Sequence, residues 1–114
     1  MPRALVLLTN GNYKVVVLRD VGDYQQTVGG FVQLLPTRDN RISCYVNEEG
    51  ALKMMPINPW SPFLIQIGVR MLKEASIVGN IIVLGGVNDD DYDDTDVPDD
   101  TVEFARQHAN EEIL

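Results

Sequence analysis

The chain has 114 residues, 45% of them hydrophobic and 23% charged, which suits one globular core and leaves too little for two. Nine Lys and Arg face seventeen Asp and Glu, for a formal net charge of −8, and eight of the acids fall within residues 89–100, a stretch without a base. The remainder is neutral and offers no basic footprint for direct nucleic-acid binding, a single cysteine excludes an internal disulfide, and no apolar run reaches the roughly 18 residues of a membrane span. With Met1-Pro2-Arg3 lacking a signal-peptide layout, the expectation is a soluble cytoplasmic protein with no membrane partner.

Residues 3–8 and 13–18 are short apolar runs, the second rich in β-branched residues, on either side of Thr9-Asn10-Gly11-Asn12. An Asn-Gly pair between two such runs predicts a β-hairpin, because both residues accept the positive φ of a tight turn. Over 20–28 the period changes. Val21, Tyr24 and Val28 stand three and four apart, predicting a helix capped by Asp20 and stopped by Gly29-Gly30. Residues 31–35 and 42–46 read as strands joined by the polar loop 36–41, with Ile42, Cys44 and Val46 on one face and Ser43 and Tyr45 on the other. Asn47-Glu48-Glu49-Gly50 makes a turn, and residues 51–54 are expected to return as a strand.

Pro56, Pro59 and Pro62 keep the next stretch extended or turned. Residues 62–74 support two readings. A helix would bury Phe63, Leu64, Ile67, Met71 and Leu72, whereas a strand would align Phe63, Ile65, Ile67, Val69 and Met71. Ser61 before Pro62 has the layout of an N-cap and an N1 proline, and Arg70, Lys73 and Glu74 suit a helix end, so the helix is preferred. Residues 77–87 read as a core strand around Ile81-Ile82-Val83-Leu84. After the acidic run, Asp100 with Glu103 resembles a capping box opening a helix over 101–110, with Val102, Ala105 and Ala109 inward. The sum is a single compact α+β domain: a mostly antiparallel sheet with an N-terminal β-hairpin, and two or three short helices against one face. Residues 1–87 form its core, 88–100 an acidic segment, and 101–114 a short C-terminal helix and tail.

Few residues suggest chemistry. A Cys–His nucleophilic pair could come only from Cys44 and His108, yet Cys44 sits mid-strand on a core face, where a thiol behaves as a small hydrophobe. Taking Asp89 as the first ligand of a calcium loop puts Asp91, Asp93, Thr95 and Asp100 at ligand positions, but Asp94 stands where the loop needs glycine. No metal, cofactor or enzymatic activity is expected. Fully extended, the acidic run reaches roughly 40 Å, so its carboxylates lie about 5 Å apart, against one charge per ~1.7 Å along a DNA duplex. It is at best a partial DNA mimic, and a docking segment for a basic protein surface or a solvated loop are the other readings. Only Tyr92, Val97 and Pro98 interrupt its polar residues, so the segment is expected to serve binding rather than folding. In the neutral body, Arg38 and Arg41 share one loop and could grip a phosphate, and Trp60 could stack on a base.

Several motifs fall in a familiar order: the hairpin-like start, the short helix, Val28-Gly29-Gly30-Phe31-Val32-Gln33, the strand ending in Asn47-Glu48-Glu49-Gly50, Pro56-Ile57-Asn58, and Val78-Gly79-Asn80-Ile81-Ile82-Val83-Leu84-Gly85. Over residues 3–86 this resembles a family of small proteins common in bacteriophages and their hosts, catalogued as a domain of unknown function. The resemblance implies a shared fold, no catalytic residue, and an accessory phage protein acting in the host cell cytoplasm. The leading expectation is a non-catalytic protein that binds and modulates a host protein, in host takeover or anti-defence. Its contact residues would be Asp89, Asp90, Asp91, Tyr92, Asp93, Asp94 and Asp96. The alternative is a small-molecule or nucleotide-signal binding protein using Arg38, Arg41 and Trp60. Self-association into a homo-oligomer stays open.

Overall fold

The two apolar runs around Asn10-Gly11 pair as a hairpin, β1 (Arg3–Leu7) with β2 (Tyr13–Val17), in register from Arg3 opposite Val17 to Leu7 opposite Tyr13. Gly11 supplies the turn's positive φ of 90°, and its N–H donates to the Leu8 carbonyl at 3.0 Å. The computed structural model describes residues 2–38, 40–71, 75–87 and 93–113, the last four by backbone alone. Helix α1 (Val21–Val28) follows, with the Asp20 carboxylate accepting from the Asp23 N–H at 3.0 Å and Gly29 closing it at a φ of 84°. Then come β3 (Val32–Leu35), β4 (Ile42–Asn47), α2 (Ser61–Gln66), β5 (Ile81–Gly85) and α3 (Asp99–Ile113). The five strands form one sheet in the order β2-β1-β5-β4-β3, antiparallel at every pairing. Among the described residues no helix is long and apolar enough to cross a membrane.

Alternation along the strands builds two apolar faces. Leu5, Leu7, Ile42, Cys44, Val46, Ile81 and Val83 meet Trp60, Phe63 and Leu64 around α2 and Ala105 of α3. On the opposite face, Ala4, Ile82 and Leu84 meet Leu18 and Val28, with Tyr24 and Tyr45 alongside. Helices therefore cover both faces, which corrects the one-sided layer expected from the sequence. The reason is visible in β1 and β5: Ala4–Leu7 and Ile81–Gly85 are buried at every position, and a strand apolar on both sides needs cover on both.

Three expected elements take other forms. Residues 51–54 are turns rather than a strand, with Lys53 N–H bonded to the Glu49 carbonyl at 3.0 Å and Met54 N–H to the Ala51 carbonyl at 3.2 Å. The helix expected over 62–74 spans only Ser61–Gln66. Gly68 breaks it with a φ of 106°, and Val69 then bridges Thr37 as an extended residue, so each reading of that stretch holds over part of it. Residues 72–74 lie outside the described residues. The residue at the N-cap is Trp60, with no side-chain capping bond. Ser61 Oγ instead donates to the Asn58 carbonyl at 2.8 Å and accepts from the Ile77 N–H at 2.9 Å. α3 begins two residues before its expected start, with the Pro98 carbonyl accepting the N–H groups of Thr101 and Val102 at 3.1 and 3.2 Å.

The second half of the acidic segment belongs to the fold. The β1–β5 ladder stops at Leu5 opposite Val83, and two pairs further on, at Arg3 and Gly85, Thr95–Val97 slots between the two strands. Gly85 N–H donates to the Thr95 carbonyl at 2.9 Å and Val97 N–H to the Arg3 carbonyl at 2.8 Å. Arg3 N–H donates to Asp96 Oδ1 at 2.8 Å. This close approach demands Gly85, whose place leaves a Cβ only 2.2 Å from the Asp96 carbonyl oxygen. Val97 is buried in the main core, contrary to the expectation that residues 88–100 serve binding rather than folding.

Candidate functional site

Strand direction sorts the loops to two ends of the sheet. One end gathers the 36–41 loop, the start of α1 and the acidic segment. The other gathers residues 8–12, 29–31, 48–58 and 78–80.

At the acidic end, one carboxylate organises the surface. Asp94 bridges to Val87 through its backbone, and its side chain accepts from Tyr24 Oη at 2.9 Å and from Tyr45 Oη at 3.0 and 3.1 Å. The two phenol rings meet edge to face, 5.5 Å apart. Burial foremost, then the Asp94 carboxylate, pushes both hydroxyls well above the ordinary tyrosine range, because ionised phenols there would be poorly solvated and beside a like charge. A cavity of about 440 Å³ adjoins them, lined also by Pro2, Arg19 and Asp20.

Of the acidic residues expected to contact a partner, Asp89, Asp90, Asp91 and Tyr92 lie outside the described residues. Asp93 is exposed, Asp94 is taken up by the two tyrosines, and Asp96 receives the Arg3 amide. The next two acids are engaged as well: Asp99 pairs with Arg3 at 2.6 Å and Asp100 with Arg41 at 2.8 Å.

The three residues expected to hold a ligand do not converge. Arg38 and Arg41 line one cleft of about 510 Å³, whereas Trp60 is 1% exposed in the core. Its ring meets Tyr13 and Phe63 edge to face, and its Nε1–H donates to the Asn12 carbonyl at 3.1 Å. Trp60 therefore presents no ring for stacking. What occupies the cleft beside the arginines is Phe104, which the sequence did not single out because its place in the α3 pattern looks like a solvated position. Cys44 is fully buried, and burial pushes its thiol up to about 12. It holds its proton at neutral pH and lacks the thiolate a nucleophile requires.

The opposite end carries large exposed apolar side chains alongside the exposed Glu48, Glu49 and Lys53. Phe31, Leu52, Met54 and Ile57 are 69%, 84%, 88% and 65% exposed. The Glu48 N–H donates to the Phe31 carbonyl at 2.9 Å and Lys53 Nζ reaches the Gly29 carbonyl at 3.5 Å, which sets the 48–55 turn beside Phe31. Met54 holds a φ of 53°, the only non-glycine with positive φ among the described residues. The sequence reading missed this surface by taking 51–54 as a strand. The available signal was Leu52 and Met54 in a stretch directly after a Glu-Glu-Gly turn.

Fold and surfaces together define a small antiparallel α+β domain with an acid-rich end and an end that exposes Phe31, Leu52, Met54 and Ile57. The family described as Domain of unknown function (DUF3846) matches residues 3–110, and the chain belongs to it. The match runs beyond residue 86, through the acidic segment and most of α3. Comparison with curated proteins and with solved structures gives no match.

Proposed function

We propose that the protein is a non-catalytic accessory protein that acts by binding another protein through the end of the sheet remote from the acidic segment. The observation that carries this reading is the exposure of Phe31, Leu52, Met54 and Ile57 at one end of the sheet. Single exposed apolar residues are ordinary, but a group of large ones at one place is the usual mark of an interface. Phe and Met are also favoured at contact surfaces, the latter because its flexible thioether adapts to irregular pockets. The left-handed backbone of Met54 costs a non-glycine residue about 1–2 kcal/mol, and here it holds a side chain outward with no internal packing in return. The partner fitting this chemistry is a protein with an apolar groove.

The acidic end supports the reading less well, since Asp94, Asp96, Asp99 and Asp100 already bind groups of the same chain. We take the partner to be a host protein, the purpose to be host takeover or anti-defence and the place to be the cytoplasm of the host cell, a reading supported by the resemblance to phage-borne proteins.

Affinity capture with the intact protein tests this against two variants. Leu52→Asp with Met54→Asp should lose the captured protein while the melting temperature holds. Asp89, Asp90, Asp91 and Asp93 changed to Asn should keep it. The reverse pattern would return the contact to the acidic segment, and capture of nothing by the wild type would end the protein-binding reading.

A further inference from the structure

We propose that the cleft between the 36–41 loop, the end of α2 and the start of α3 binds a phosphorylated small molecule with a planar ring, of the nucleoside monophosphate type. The site lies at the opposite end of the sheet from the apolar surface, so it stands or falls separately from the reading above. Its volume of about 510 Å³ is within the roughly 300–1,000 Å³ of small-ligand pockets. Its lining divides into a cationic part and an apolar part.

Arg38 and Arg41 supply the first. The first half of the loop is pinned down: Arg38 N–H donates to the Gly68 carbonyl at 2.7 Å, Arg70 N–H to the Pro36 carbonyl at 2.8 Å, and Thr37 bridges Val69. Asp100 receives one Arg41 nitrogen on both its oxygens, at 3.1 and 2.8 Å, which fixes that guanidinium. Among the described residues no carboxylate forms an ion pair with Arg38. Among the described residues the cleft brings two guanidinium groups against one carboxylate, Asp100, while Asp39 of the same loop lies outside the described residues. The distant acids matter little at contact range, because exposed charges are screened beyond about 8 Å at physiological salt. Guanidinium forks match phosphate oxygens in spacing and direction.

Phe104 supplies the apolar part, beside Ile65 and Ile67. One side of its ring stacks on Phe63, with centroids 5.4 Å apart and planes 27° from parallel, so the partly exposed ring is held in a fixed orientation as a flat wall. Asp100 inside the cleft opposes a highly charged ligand, which favours one phosphate over three.

Calorimetric titration of the intact protein with GMP tests the site, with inorganic phosphate and guanosine as the two half-ligands. GMP should bind saturably and more tightly than either half. Arg38→Ala, at an exposed position, should keep the melting temperature and weaken GMP by about tenfold or more, as loss of a charge-assisted hydrogen bond does. Phe104→Leu should bring GMP down to the affinity of phosphate while phosphate itself is unchanged. No saturable binding of GMP at millimolar concentration, or unchanged binding in Arg38→Ala, would overturn the proposal. GMP binding no tighter than phosphate would remove the planar-ring requirement and overturn it as stated.

Discussion

Asn58 shows how much one polar side chain can hold. It is fully buried, and its Nδ2 donates to the Leu7 carbonyl at 3.0 Å and the Gly79 carbonyl at 2.9 Å, while its Oδ1 accepts from the Trp60 N–H at 2.9 Å. Asn58→Leu strips the Trp60 amide of its acceptor and the Leu7 and Gly79 carbonyls of a donor in a dry interior. At about 1–3 kcal/mol for each unsatisfied group, denaturant titration should show a loss of roughly 3 kcal/mol or more. A change under 1 kcal/mol would mean water reaches those groups. The same scale gives the opposite sign at Met54: glycine takes a φ of 53° without strain, so Met54→Gly should stabilise by up to about 1 kcal/mol while weakening partner capture. Neither role is legible locally. Pro56-Ile57-Asn58 stands out as a turn motif, but the groups that Asn58 satisfies come from residues 7, 60 and 79. Trp60 is a like case, since only the tertiary placement of Tyr13, Phe63 and Asn12 decides that its ring packs inward.

Elements were legible where the signal is local and unopposed. The hairpin and α1 follow from Asn10-Gly11, Asp20 and Gly29, whose turn and cap geometries need nothing from the rest of the chain. α2 was overextended because the apolar residues of 62–74 satisfy both periods, and Gly68 decides between them only through a backbone twist. The acidic segment was read from its charge, and charge says nothing about Val97, which enters the core between β1 and β5. Val97→Ala should therefore cost roughly 1–3 kcal/mol by cavity formation, measured by urea unfolding, whereas a freely solvated loop would give no change. Asp94→Asn keeps the shape but exchanges the carboxylate that accepts from Tyr24 and Tyr45 for a neutral amide. It should destabilise by about 1–2 kcal/mol, measured by urea unfolding.

For the molecule as a whole, these contacts set a pH window for stability. Asp23 is held below the usual carboxylate range by the Arg19 backbone N–H foremost, Asp100 by its hydrogen bond from Arg41, and Glu103 by that from Arg106. A depressed folded value means that the unfolded chain binds protons first as pH falls. The stability these groups contribute is present above the ordinary carboxylate value of about 4 and disappears below it. Tyr24 and Tyr45 work in the other direction. Their hydroxyls are raised, by burial first and by Asp94 next, so their contribution is complete below the ordinary tyrosine value of about 10 and is lost as pH rises beyond it. Burial raises the Cys44 thiol too, and its share begins to fall from about pH 8.5, its ordinary value. Melting temperature should thus be level from about pH 5 to 8 and decline on both sides. Changing Tyr24 and Tyr45 to Phe removes two of the three alkaline contributors while leaving Asp23, Asp100 and Glu103 in place. The double variant should start from a lower plateau, having lost both hydrogen bonds to Asp94, and fall less steeply above pH 10 with its acid limb unchanged. An alkaline limb as steep as that of the wild type would place the titrating groups elsewhere and break the link between the Asp94 clasp and alkaline unfolding.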